Sequence, residues 1–261
     1  VISTKKLRRL AGQANFVAGL IWTWRPFLST LWKAIEKAKA KSSKVKACVW
    51  TKQVRKTLSW LISFLTFRAE SMSRVVYHVG EDPDEEVTII TDASPTGIGG
   101  VIMKGGVILA YFFDKITAAD EAKLGKETGS SRGQQVWEAL AILVALRLWA
   151  PMWITWKCKI KVKSDSMSAL IALAQLKSKS TGVNCIVREL ALDMGMSVYE
   201  PSTVLHIPGL SNTVADALSR QFEESPCELP GCLNKALRSF PAVRDSKFWI
   251  AAEPSLSKRR K

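Results

Sequence analysis

Four acidic residues stand where a purely structural design would not put them. Asp92 ends the apolar run VTIITD, Glu138 sits between Trp137 and Ala139, Asp165 closes KIKVKSD, and Asp216 lies inside VADAL. A lone buried carboxylate is costly to ionise, so something must compensate each of them. Carboxylates gathered from strand ends and facing helices form an all-oxygen cage, the preference of a hard divalent cation such as Mg²⁺, with Mn²⁺ as a substitute. Two such ions suit phosphodiester hydrolysis, one activating the attacking water and the other steadying the leaving oxygen. Gly97, Gly99 and Gly100 leave room beside Asp92 for the second strand or a substrate backbone to come close. Each acid also has a plainer reading. An aspartate at a strand end often caps a turn or helix, as Asp165 before SMSAL can, and Asp216 can lie on a solvated helix face. Their joint placement is what points to chemistry.

For the acids to meet, the elements that carry them must share one fold. VTIITDAS, GIGGVIMK and GVILAYFFD read as three strands, separated by turn signals at Pro95 to Gly97 and at Gly105-Gly106. Residues 131–149 form a long apolar helix, KIKVKSD a fourth strand and SMSALIALAQL a helix. A helical stretch at 183–195 leads to STVLHIPG, a fifth strand, and SNTVADALSR closes the series as a helix opened by a Ser or Asn cap. Three hairpin-linked strands followed by crossover units predict an α/β fold, a mixed five-stranded sheet flanked by helices.

The first 80 residues differ in kind. Leu7, Leu10, Ala14, Val17 and Ala18, then Leu28, Leu31, Trp32 and Ile35, recur at helical spacing, and VRKTLSWLISFLTFRA repeats the pattern. The formal charge of +15 sits here: residues 1–76 hold 16 basic and 2 acidic side chains, and the other 185 hold 22 and 21. Such a single-sign region points to a polyanion, nucleic acid first and an anionic membrane surface second. The acidic EDPDEE at 81–86 marks a boundary. Five scattered cysteines suggest reduced thiols in an intracellular protein, cytoplasmic or nuclear, and CELPGC lacks the second pair or nearby histidine that would complete a zinc site. The apolar stretch 139–156 carries Arg147 and Pro151, so it reads as a buried helix rather than a membrane span. No secretory signal opens the chain, which begins at Val1 and reads as a fragment or processed product.

TDAS at 91–94, WEALAIL at 137–143, VKSDSMSAL at 162–170 and HIPGLSNTVADALSR at 206–220 resemble, in order, the motifs of the ribonuclease H domain of retrotransposon reverse transcriptases, of gypsy type or DIRS-like. The resemblance spans residues 87–222 and implies a ribonuclease H-like sheet. By it, Asp92, Glu138, Asp165 and Asp216 match the family's four metal-binding carboxylates, for two Mg²⁺ or Mn²⁺ ions, and the partner is an RNA·DNA hybrid whose RNA strand is cut. The 2′-hydroxyl tells RNA from DNA. His206, on the fifth strand, takes a structural or substrate-edge role, and His78 has no counterpart.

KKLRRLAGQANFVAGLIWTWRPFLSTLW is similar to the helical segment between polymerase palm and ribonuclease H in these enzymes. Its Lys5, Lys6, Arg8, Arg9 and Arg25 are candidates for hybrid phosphates. Trp22, Trp24 and Trp32 either stack on bases or pack the helices together. The expected organisation is thus a basic helical connection or thumb-like region at 1–80, the ribonuclease H-like domain at 87–222, and at 223–261 an extension or linker ending in the basic SKRRK, a candidate nuclear import signal. No Y-x-D-D-like signature occurs, so DNA synthesis is left to the polymerase domain of a parent polyprotein. Three functions follow: a metal-dependent ribonuclease H, a non-catalytic nucleic-acid tether from a decayed retroelement, and, less strongly, a nuclease or integrase-like enzyme acting on DNA. None involves a membrane.

Overall fold

The computed structural model describes residues 1–40, 47–66, 86–152, 159–196, 199 and 201–252. Most of the acidic run before Glu86, His78, Cys158 and SKRRK lie outside the described residues. The chain forms two compact units, Val1–Val75 with Ile250–Lys261, and Val76–Trp249.

The first unit is built on three helices: α1 (Thr4–Leu20), α2 (Arg25–Ala40) and α3 (Thr51–Thr66). The Ser3 side chain accepts a bond from the Lys6 N–H and so caps α1. Leu7, Ala11, Ala14 and Ala18, at helical spacing, form its buried stripe. Short strands β1 (Ile2–Ser3) and β2 (Cys48–Val49) pair antiparallel. Phe27, Trp60 and Phe64 fill the centre with ring centroids 5.1 to 5.6 Å apart, and Trp24 stacks on Phe64 at 5.5 Å. Trp24 is therefore a packing residue, while Trp22 and Trp32 are half-buried.

The second unit is a mixed sheet with helices on it. Its strands are β3 (Glu86–Ala93), β4 (Gly97–Lys104), β5 (Val107–Lys115), β6 (Lys159–Ser164), β7 (Pro201–His206) and β8 (Leu237–Arg238), in spatial order β7-β6-β3-β4-β5-β8. The first three pair antiparallel, and β6, β7 and β8 add parallel to their neighbours. The expected five strands are thus joined by a sixth. A two-residue strand carries no readable alternation, which is why the sequence concealed it.

The helices are α4 (Ala118–Leu124), α5 (Gln134–Leu148), α6 (Met167–Gln175), α7 (Thr181–Gly195) and α8 (Thr213–Ser219). Short α4 escaped the sequence reading, although Thr117 and Asp120 form a capping box and Gly125 closes it in the left-handed region. Every residue of α5 from Val136 to Leu146 is buried, as a helix apolar on all sides must be, and Glu138 is carried into the interior with them. Among the described residues no helix is long and apolar enough to cross a membrane. Arg147 instead turns to α7, bonding Glu189 at 2.9 Å and Asp193 at 2.6 Å.

Alternation along the strands assigns the two faces. Gly100 and Phe112, opposite each other on β4 and β5, look towards Trp149 just after α5, which meets Phe112 edge-on at 5.6 Å. Val101 and its neighbours look towards α8 and the segment around Leu233 and Ala236. The C-terminal segment is pinned by Arg244, whose side chain is 2% exposed, bonds both carboxylate oxygens of Asp120 at 2.9 and 3.0 Å, and pairs with Asp114.

The glycines beside Asp92 are explained by α8. A Cβ on Gly99 would lie 2.6 Å from both Leu218 Cβ and the Ser219 nitrogen, and one on Gly97 would lie 2.5 Å from the Ser219 carbonyl oxygen. The space these two provide is taken by the last helix, not by a substrate backbone. Gly99→Ala should therefore cost about 1–3 kcal/mol by overpacking against backbone, read as a lower midpoint in chemical denaturation. Gly105→Ala, where nothing lies within 4 Å but φ is +55°, tests strain without crowding.

Candidate active site

Asp92 is the penultimate residue of β3 and faces Gly99 across the β3–β4 ladder. Asp165 follows the end of the parallel neighbour β6, and Glu138 lies one turn into α5. Parallel pairing puts the ends of β3 and β6 side by side, and α5 supplies the third group. Asp92, Glu138 and Asp165 each offer a carboxylate oxygen, and the three oxygens lie within 4.8 Å of one another.

Asp216 is not among these three. It is carried by α8, its side chain is 42% exposed, and its Oδ1 accepts from Arg220 Nε at 2.7 Å, while Arg220 also reaches Glu223 at 3.1 Å. An arginine four residues on offers a bidentate-capable cation on the same helical face, and that pairing wins in the structure.

Each buried acid is held by donors that the motif reading passed over. Ser219 Oγ is 2.7 Å from Asp92 Oδ2, and Asn212 Nδ2 bridges Asp92 Oδ1 at 3.3 Å and the Thr91 carbonyl at 3.2 Å. Gln134 Nε2 donates to Glu138 Oε1 at 2.9 Å and also to the Ala93 carbonyl. Signals existed: Gln134 precedes Glu138 by one helical turn, and Asn212 and Ser219 bracket Asp216. His206 Nε2 lies 3.1 Å from the backbone carbonyl of Asp165 and donates to it in the tautomer protonated there. Gly209 keeps space beside Asp165, since a Cβ there would sit 3.3 Å from its Oδ2.

Two buried oxygens, Glu138 Oε2 and Asp165 Oδ1, have no hydrogen-bond partner. Orphaned carboxylate oxygens within a cluster of acids are what a hard cation satisfies, and the donor set fits one. The electrostatics agree. Burial, then the charges of Asp92 and Asp165, push Glu138 up from the ordinary 4.5 to about 9, against the Gln134 bond. Burial likewise lifts Asp92 from 3.8 to about 7, assisted by Asp165 and Asp216 and opposed by Ser219 and Arg220.

The basic residues of the first unit divide. Lys5, Lys6, Arg8 and Arg9 are exposed on α1. Lys5, Arg8, Arg9 and Gly12 line, with Thr4 and Gln13, an open groove of about 540 Å³. Arg25 is also exposed, but its Nε is committed to the Ala18 carbonyl at 3.2 Å near the end of α1. Cys227 and Cys232 are exposed and form no disulfide, and neither joins a metal-ligating group among the described residues.

A carboxyl whose folded pKa is raised stabilises the fold fully below its unfolded value and loses that contribution as pH rises through the folded one. Without divalent metal, stability should therefore fall as pH climbs from about 4.5 towards 9. Glu138→Gln, neutral at every pH, should flatten this slope and raise the metal-free melting temperature at pH 8. Melting curves across pH with a chelator present check it, and an unchanged slope would disprove the assignment to Glu138.

No family model and no curated protein sequence matches the chain. Among solved structures it is similar to RNase H1 of the halophilic archaeon Halobacterium salinarum, at 22% identity over 52% of this chain and 96% of that one, with a TM-score of 0.40. It is similar to the N-terminal RNase H domain of a Mycobacterium tuberculosis protein, at 19% identity over 51% and 89%, TM-score 0.36. A foamy viral protease-reverse transcriptase in complex with double-stranded DNA matches at 16% identity over 79% of this chain and 35% of that one, TM-score 0.32.

Proposed function

We propose that the chain is a metal-dependent ribonuclease H from a retroelement polyprotein, of gypsy type or DIRS-like, which hydrolyses the RNA strand of an RNA·DNA hybrid. One observation carries the reading: three carboxylates from two parallel strand ends and a buried helix converge, with two of their oxygens left unpartnered. Asp92, Glu138 and Asp165, with Asp216 at the rim, would hold two Mg²⁺ or Mn²⁺ ions. When bound, such ions supply an activated water and neutralise charge on the leaving oxygen.

The chain's own groups do the positioning. Asn212 and Ser219 fix the Asp92 carboxylate from two sides, and Gln134 orients Glu138 so that its second oxygen stays free. Lys5, Lys6, Arg8 and Arg9, with Arg25 as a weaker candidate, would take hybrid phosphates with salt-dependent, sequence-independent affinity. In this reading residues 1–80 are the connection or thumb-like region, 87–222 the hydrolytic domain and 223–261 an extension. The polymerase domain of the parent polyprotein is the partner, in the cytoplasm or nucleus.

A second reading, a nucleic-acid tether without turnover, is favoured by a specific contact. Asp216 is engaged by Arg220 rather than by the other three acids. Incubating the purified chain with a labelled RNA·DNA hybrid, a DNA duplex and Mg²⁺ separates the possibilities. The ribonuclease reading requires cleavage of the RNA strand alone. Glu138→Gln should abolish it, and Gln134→Ala should slow it roughly ten- to a hundredfold by releasing Glu138. Salt-sensitive binding with no cleavage would give the tether, and a cut DNA duplex the third class.

A further inference from the structure

A run of rings and cations leads from Arg220, the partner of Asp216, past Phe113 on β5 to Phe240, and beyond Arg220 none of it touches the carboxylates. Arg220, bonded to Asp216, stands two residues before Phe222, whose ring centroid is 6.0 Å from that of Phe113 on β5. The Arg238 guanidinium sits 4.0 Å from the centre of the Phe113 ring and 4.9 Å from that of Phe240. Tyr111 stacks behind Phe113 at 6.5 Å with the planes 19° apart.

Core packing does not account for the far end of this run. Phe240 is 73% exposed and Phe222 36%. Arg238 is exposed on the edge strand, and among the described residues no carboxylate pairs with it. A guanidinium held over ring faces by cation–π contact still has five N–H donors with which to meet a phosphate. Every base has a π-face, so an exposed ring beside such a cation suits a nucleic-acid strand whatever its sequence.

We propose that this track binds a single strand of nucleic acid that continues beyond the hydrolytic site, with bases on Phe240 and Phe222 and a phosphate on Arg238. The identity of the strand, as an extension of the hybrid, rests on the ribonuclease reading. The track itself rests on the ring and guanidinium geometry.

The test is fluorescence anisotropy of a labelled thymidine oligonucleotide with the full chain, in chelator and over a salt series. Phe240→Ala should weaken binding about tenfold. Phe240→Leu, which keeps the apolar bulk and loses only the stacking face, should weaken it comparably. Arg238→Ala should lower affinity and reduce the slope of log affinity against log salt by about one. Wild-type affinity in Phe240→Leu and Arg238→Ala overturns the proposal. So does an altered oligomeric state of these variants in sedimentation, which would assign the patch to a second copy of the chain. Hybrid cleavage is scored separately with Mg²⁺. A chain that cuts no hybrid yet loses oligonucleotide binding in the variants sinks the ribonuclease reading and leaves the track in place.

Discussion

Three carboxylates held together in a half-dry site are the constraint on which the second unit turns. Burial and mutual repulsion both favour protonation, and they act hardest on Glu138, which burial first and the charge of Asp92 next push upward. A fold tolerates that arrangement only if rigid elements enforce it. Here the enforcement comes from paired backbone: β3 and β6 run parallel with Ile90 opposite Lys163, so the two strand-end aspartates emerge together. The α5 helix, buried from Val136 to Leu146, has no freedom to withdraw Glu138.

The last helix is tied to the same group it serves. Asn212 just before α8 and Ser219 at its end both reach Asp92, and Ser94 donates to the Ser219 carbonyl at 2.9 Å. Asp92 is thus an anchor for α8 as well as a candidate ligand. A substitution at Asp92 therefore touches the contacts of α8 as well as the carboxylate cluster. Glu138 is held by one side chain and keeps a free oxygen, so its substitution is the cleaner probe of chemistry.

Two arginines show how the rest of the unit accommodates buried charge. Arg147 is met by Glu189, Asp193 and the Phe248 carbonyl, and Tyr199 donates to Asp193 at 2.7 Å. Arg244 is met by Asp120, Asp114 and the Lys115 carbonyl. Buried pairs of this kind contribute little net stability but are costly to break singly, because the survivor is left unpaired. Both tie residues 244–248 to the sheet and its helices, so the segment after residue 222 is part of this unit's packing up to Trp249.

The sequence by itself determined the order of the long elements and singled out Asp92, Glu138 and Asp165 as candidates, three acids whose carboxylate oxygens the fold brings within 4.8 Å of one another. Apolar runs between the turn signals at Pro95 to Gly97 and at Gly105-Gly106 marked β3, β4 and β5, and a carboxylate amid apolar neighbours is conspicuous in one dimension because burial has to be compensated. Two residues give β8 no periodicity, and the seven of α4 give little beyond the Thr117 and Asp120 cap at one end and Gly125 at the other. Only the tertiary structure decided which groups meet. It set Gly97 and Gly99 against α8 rather than a substrate, committed Arg25 Nε to Ala18, and gave Asp216 to Arg220. Those outcomes depend on which candidate partner the packed elements bring into contact: Gly97 and Gly99 meet a helix far along the chain, whereas Asp216 takes a neighbour four residues on rather than the acids of distant strands.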